Sequence, residues 1–257
     1  MLALVHPPSS NIDQCQRTFV ERRSIDVEAA TRQHAAYCQA LADCGATVRL
    51  LGDNRDEPDC VYVEDTAVVL DEVAILCPMG TPARRKETSA IARILAEVRP
   101  LERVDLPATL EGGDVLRIGR RLLVGQSPRT NAAGIEALAT IAGHHGYQVT
   151  PVGVRGCLHL KTACTALPDG RLLVNADWID TSPLAGLTLI PIPRDEPFAA
   201  NVLPLDQRVL LPAEHPRTAE QIERLGFETR TAHLSELIKG EGGVTCLSIL
   251  IAEERDR

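Results

Sequence analysis

Apolar positions along this chain follow two rhythms, and their alternation divides it into repeating units. Residues 2–6 read as a first strand ended by Pro7-Pro8, and 9–23 are polar and irregular. From Asp26 the period lengthens. Val27, Ala30, His34, Tyr37, Leu41 and Cys44 recur at helical spacing, Asp26 or Ser24 can cap the start, and Gly45 ends it. A strand follows at 47–51. Residues 60–70 and 73–77 predict a β-hairpin about Asp71-Glu72, 82–98 a helix and 104–106 a short strand. Next come strands at 114–118 and 122–125, a helix at 131–145 and a strand at 149–152. The same order returns with strands at 158–166 and 171–175, a short helix near 178–184 and a strand at 188–192. Strands within 200–212, a helix at 216–225, a strand at 228–231, a helical turn at 233–238 and a last apolar strand near 247–251 complete the chain. This strand–strand–helix–strand unit is roughly fifty residues long and recurs about five times, the signature of a propeller or array rather than a doubly wound sheet. Nothing marks a linker, so one domain is expected over 1–257.

Composition narrows the function classes. The 257 residues are 44% hydrophobic and 24% charged, with a formal charge of −8 spread along the chain. A phosphate-binding surface wants the opposite sign, so nucleic acid is not the expected partner; a small cationic ligand fits better. The apolar start lacks a basic n-region and breaks at Pro7-Pro8, which does not read as a signal peptide, and no apolar run approaches a membrane span. The 8 cysteines form neither a CxxC pair nor a zinc-ribbon spacing, so reduced thiols in a cytoplasmic protein are expected.

Four stretches beside expected strand ends could carry chemistry. Gly240-Glu241-Gly242-Gly243-Val244-Thr245-Cys246 ends a glycine turn on a thiol, either a held nucleophile or a small buried core residue. Asp59, Glu64 and Asp65 flank one apolar run; adjacent carboxylates favour a bound cation or one raised pKa, or are solvated acids at a strand end. In Leu110-Glu111-Gly112-Gly113-Asp114, paired glycines let the backbone approach a ligand near Glu111, or simply make a turn. His159, between Leu158 and Leu160, is a catalytic or a structural imidazole. Arg84 and Arg129 open expected helices and present planar forks suited to a carboxylate, or are surface charge. Together these supply a thiol, an imidazole, a carboxylate to orient it, acids for a cation and arginines for an anion. That set suits attack on a substrate with a planar cation at one end and a carboxylate at the other.

The runs PDCVYVEDTAVVL, PARRKE, TLEGGDVL, SPRTN, LHLKT and GGVTCLSI resemble, in order and over nearly the whole chain, those of the dimethylarginine dimethylaminohydrolases, guanidino-modifying members of the pentein superfamily. The resemblance implies a five-bladed α/β-propeller of ββαβ repeats and conversion of Nω-methylated arginine to citrulline through a covalent cysteine thiouronium. It implies Cys246 as nucleophile, His159 as general acid/base and Glu111 as the acid orienting it. Asp65 would hold the guanidinium with Glu64 and Asp59 in the same cluster, Arg84 and Arg129 would bind the α-carboxylate, and the Gly240 backbone would line the α-amino end. No metal or organic cofactor is implied, and the expected partner is a small guanidino amino acid acting on a monomer or homodimer. Deimination of arginine or hydrolysis of another substituted guanidine is the alternative within the family; an idle binder of arginine-like ligands or a purely structural propeller are alternatives outside it. Two positions depart from the pattern: the lid segment 13–20 carries no leucine, and Tyr62 stands where phenylalanine is common. Both bear on the N-methyl preference.

Overall fold

A computed structural model describes residues 1–252; the last residues of the expected 1–257 domain lie outside them. The strands are β1 (Leu2–Val5), β2 (Thr47–Leu50), β3 (Ala67–Val69), β4 (Ala74–Leu76), β5 (Leu101–Arg103), β6 (Val115–Ile118), β7 (Arg121–Gln126) and β8 (Gln148–Gly153). The second half adds β9 (Cys164–Ala166), β10 (Leu172–Val174), β11 (Leu189–Pro191), β12 (Leu203–Leu205), β13 (Arg208–Pro212), β14 (Glu228–Ala232) and β15 (Ile249–Ile251). They form five 3-stranded sheets, each with its first two strands antiparallel and its third parallel to the second. Four sheets are contiguous in sequence. The fifth is closed by β15 against β1, pairing Leu2 with Ile251 and Leu4 with Ile249, so the chain's two ends seal the ring. This is the expected five-bladed α/β-propeller.

Helices α1 (Val27–Asp43), α2 (Thr88–Leu95) and α3 (Ala132–Gly143) cross over between the second and third strands of the first three blades. The one-turn α4 (Leu160–Ala163) precedes β9, α5 (Pro216–Arg224) is the crossover of the last contiguous blade, and α6 (Ser235–Ile238) follows β14. Asp26 caps α1 by accepting from Ala29 N, and Asn131 caps α3 through Gly134 N, satisfying donors a helix start leaves open. Each helix buries one stripe between blades: Ala30, Tyr37 and Leu41 of α1 pack with Val5, Leu210 and Leu247. Among the described residues no helix is long and apolar enough to cross a membrane.

Four expectations need correction. The strand expected from residue 60 begins only at Ala67, because Val63–Thr66 winds into a 3₁₀ turn whose Thr66 hydroxyl donates to Val63 O at 2.7 Å. The strand expected at 158–166 begins at Cys164; His159 precedes the single turn α4, with Leu160 N donating to the Asp114 carboxylate at 2.9 Å. The strand expected at 104–106 is Leu101–Arg103, an exposed outer strand whose register with β4 is set by backbone pairing and leaves no apolar alternation to read. The helix expected at 82–98 is a 3₁₀ segment, Pro82–Glu87, running into α2.

Candidate active site

The turn before the first strand of each blade delivers polar side chains to the axis. Asp65 precedes β3, Glu111 precedes β6, His159 precedes β9, Asn201 precedes β12 and Cys246 precedes β15. All five are buried. Residues scattered over the sequence thus meet because they hold equivalent places in successive blades.

His159 Nε2 lies 2.7 Å from Glu111 Oε2, and its Nδ1 is 3.8 Å from Asp65 Oδ1. Glu111 is itself braced: Oε1 accepts from Gly80 N at 3.0 Å, and Arg129 stands 3.5 Å away. Burial alone would lower the His159 pKa, but the carboxylates of Asp65, Asp114 and Glu111 outweigh it and raise the value to about 9. The imidazole is therefore a cation at neutral pH. Gly113 makes this packing possible, since a Cβ there would sit 2.6 Å from His159 Nδ1 and 2.7 Å from Asp65 Oδ1.

Cys246 lines the same small pocket as His159, together with Gln16, Asp59, Tyr62, Asp65, Arg84, Arg129, Leu158 and residues 240–242. Burial, with the charges of Glu64 and Asp65, pushes its thiol up to about 12. The resting pair is thus thiol and imidazolium, and the thiol needs an incoming cation to ionise. Asn201 fixes the loop that carries it: its amide donates to Lys161 O at 2.9 Å and to Thr245 Oγ1 at 3.0 Å, and accepts from Thr245 N at 3.1 Å.

Asp65 Oδ2 pairs with Arg84 at 2.7 Å, and Oδ1 accepts from Gly113 N at 3.1 Å. Burial opposes its ionisation, but His159, Arg84 and Arg129 hold its pKa below the ordinary carboxylate value. Arg84 also binds Glu87 through Nε and Nη2, at 3.1 and 3.0 Å, and Tyr62 O at 2.9 Å. Little of that guanidinium is left for a ligand; its main work is to orient Asp65. Arg129 is less committed, bonding Thr81 Oγ1 and reaching Thr18 Oγ1 at 3.4 Å.

Glu64 is not brought into this pocket. It pairs with Lys161 at 2.5 Å, accepts from Thr245 Oγ1 at 2.8 Å, and lines a separate cavity of about 320 Å³ with Thr165 and Ser248. Neighbours in sequence, Glu64 and Asp65, turn to opposite sides because the 3₁₀ turn rotates one past the other. That larger cavity is lined by neither cysteine nor histidine; the Cys246 thiol and the His159 imidazole share the smaller pocket. Asp65, Glu111 and His159 have ligand atoms within 4.8 Å of one another and are the group among the described residues that could ring a metal ion. Their atoms are already bonded to Arg84, Gly113, Gly80 and each other, beside two arginines, so the set serves proton transfer better than a cation.

Sequence reasoning passed over Asn201, Asp114 and Ser127. Asp114 Oδ2 accepts from Ser127 Oγ at 2.6 Å, and that hydroxyl accepts from Arg129 N at 3.0 Å, so one buried carboxylate ties the His159 turn to the Arg129 turn. The motifs EGGD and SPRTN contain Asp114 and Ser127, whereas no local pattern marks Asn201.

The fold and this thiol–imidazole–carboxylate site define a class: α/β-propeller hydrolases acting on guanidino C–N bonds. Residues 4–252 match the sequence profile described as N,N dimethylarginine dimethylhydrolase, eukaryotic. The chain is 38% identical over 255 residues to an N(G),N(G)-dimethylarginine dimethylaminohydrolase of Streptomyces coelicolor, covering 99% of this chain and 98% of that one. It is 35% identical over 226 residues to the enzyme of that name from Pseudomonas aeruginosa, covering 87% and 89%. A solved structure of the Pseudomonas aeruginosa protein, a cysteine-to-serine variant complexed with citrulline, superposes with a TM-score of 0.92 at 32% identity over 96% of this chain and 98% of that one. The chain belongs to the dimethylarginine dimethylaminohydrolase family.

Proposed function

We propose that this protein hydrolyses Nω-methylated arginine to citrulline and methylamine or dimethylamine, with 1–257 as one catalytic domain. The observation that carries the reading is the meeting of Cys246, the His159–Glu111 pair and Asp65 around one small pocket beside Arg129. Asp65 faces the substrate guanidinium, Asp59 and the Gly240 backbone face the α-amino group, and Arg129, with what Arg84 leaves free, faces the α-carboxylate.

The resting protonation states set the order of events. Entry of the guanidinium replaces the local repulsion from Asp65 by attraction, and the Cys246 proton leaves to solvent. The thiolate attacks the guanidinium carbon, forming a C–S bond and a tetrahedral adduct. Glu111 engages Nε2 of His159, so Nδ1 is the atom left to give its proton to the departing amine nitrogen. Loss of that amine leaves a thiouronium on Cys246. Neutral His159 then takes one proton from water as the water oxygen attacks the same carbon; collapse breaks the C–S bond, the adduct's hydroxyl proton leaves to solvent, and citrulline and the thiolate are released. Eight free cysteines fit the reducing, cytoplasmic setting this chemistry favours.

Acid-quenching the enzyme during turnover of asymmetric dimethylarginine and measuring its intact mass tests the covalent step. A thiouronium adduct localised to Cys246 is expected. Turnover by the Cys246→Ser variant, without any adduct, would overturn it.

A further inference from the structure

Segment 16–25 has no regular secondary structure, yet it is braced as a unit. Arg17 donates to Arg23 O at 2.7 Å and Asp13 O at 3.0 Å, Arg22 donates to Asp13 O at 2.6 Å, and Ile25 N donates to the Asp13 carboxylate at 2.8 Å. Gln16, within it, lines the Cys246 pocket, whose cavity of about 10 Å³ has space for about one water. A guanidino amino acid therefore enters only when this segment moves.

Three attachments hold residues 16–20 over the pocket, while Lys239 ties the far end of the segment by donating to Ser24 O at 3.0 Å. Gln16 N donates to Asp59 Oδ1 at 3.0 Å, and Thr18 Oγ1 meets Arg129 at 3.4 Å. Asp59 and Arg129 are groups the substrate itself would engage. The third is independent of it: Glu241 accepts from three successive backbone donors, Thr18 N at 2.7 Å, Phe19 N at 2.5 Å and Val20 N at 3.1 Å. Consecutive N–H groups closing on one anion form a nest. Glu241 is held out toward it at φ 67°, a left-handed conformation in which glycine would be the easy choice. Its neighbours Gly240 and Gly242 lie so close to the Tyr62 ring that a Cβ at either would collide with it, which fixes the loop's path.

We propose that Glu241 is a positioning residue for the substrate pocket, docking the 16–20 backbone against the loop that carries Cys246 and so building the wall at the amino-acid end. The inference rests on the hydrolase reading for the substrate's identity, though not for the docking itself. When substrate takes over Asp59 and Arg129, Glu241 is the contact that keeps residues 16–20 closed.

Two variants separate docking from backbone strain. Glu241→Gln keeps the shape and removes the charge; Glu241→Gly removes the carboxylate and relieves the left-handed backbone. Both are expected to raise KM for asymmetric dimethylarginine about tenfold, as the closed fraction falls by that factor, with kcat within about threefold. Trypsin cleavage after the exposed Arg22 and Arg23, in the absence of any substrate, should accelerate about as much. The melting temperature of Glu241→Gly should not fall. An unchanged KM, or a kcat loss that tracks a lowered melting temperature at constant KM, overturns the proposal. If the parent protein turns over no methylated arginine, the hydrolase reading fails separately, and equal cleavage of parent and variants then overturns the docking role.

Discussion

Replacing Glu111 by glutamine removes one charge from the His159 pair while keeping the side chain's volume. Glu111 Oε2 meets His159 Nε2 at 2.7 Å, and Oε1 accepts from Gly80 N at 3.0 Å with Arg129 3.5 Å away. A carboxylate satisfies all of these donors. An amide cannot: if its oxygen faces His159, its NH₂ confronts Gly80 N–H and Arg129, and if it is turned, two donors meet at Nε2 unless the imidazole loses its proton. One charge-assisted hydrogen bond is lost either way, about 1.5–3 kcal/mol, which corresponds to roughly a ten- to 150-fold fall in kcat. The His159 pKa, raised to about 9 by Asp65, Asp114 and Glu111 against burial, also drops, so the alkaline limb of the kcat profile moves to lower pH. The assay is the colorimetric ureido reaction over a pH series, with the melting temperature as a check on folding. A folded variant with kcat within threefold of the parent and an unmoved alkaline limb would refute the assignment of Glu111 as the group that orients and charges His159.

Gly113→Ala places a methyl 2.6 Å from His159 Nδ1 and 2.7 Å from Asp65 Oδ1; displacing the imidazole should cost about 100-fold in kcat, read in the same assay, and near-parent activity would contradict the tight packing. Lys161→Met leaves Glu64 buried without its 2.5 Å partner and should destabilise the fold by about 3–5 kcal/mol in urea unfolding, much of it recovered in the double variant with Glu64→Gln. Because the folded His159 pKa lies above its unfolded value of 6.5, its contribution is full below pH 6.5 and is lost as pH rises through about 9. That loss is roughly 3 kcal/mol, and His159→Gln should flatten the slope of stability in this window. An equal slope in the variant would assign the alkaline loss elsewhere.

The middle strands were legible because they are buried on both faces: Ala74, Ile75 and Leu76 of β4, or Leu172, Leu173 and Val174 of β10, read as apolar runs in a sequence of turns. The outer strand β5 is exposed throughout and carries no such mark, so it was expected a few residues late. At 60–66 and 158–163 the apolar neighbours of Asp65 and His159 alternate as in a strand, but the chain takes a one-turn helix there. Side-chain bonds to residues distant in sequence hold those turns, such as Asp114 to Leu160 N, and no local pattern encodes them. The same holds for Asn201, whose partners include Lys161 and Thr245, and for Glu241, whose partners lie near the start of the chain. The division of labour between Glu64 and Asp65 was likewise hidden: a pair of adjacent acids reads as one cluster until a 3₁₀ turn sends them to different cavities.

The central claim is that Cys246 turns methylated arginine into citrulline. Purified protein is given asymmetric dimethylarginine and arginine side by side, with Cys246→Ser as the blank, and the ureido product is measured. Citrulline from the methylated substrate, absent in the variant, is the expected result. Citrulline from arginine alone, or undiminished product in Cys246→Ser, would contradict it.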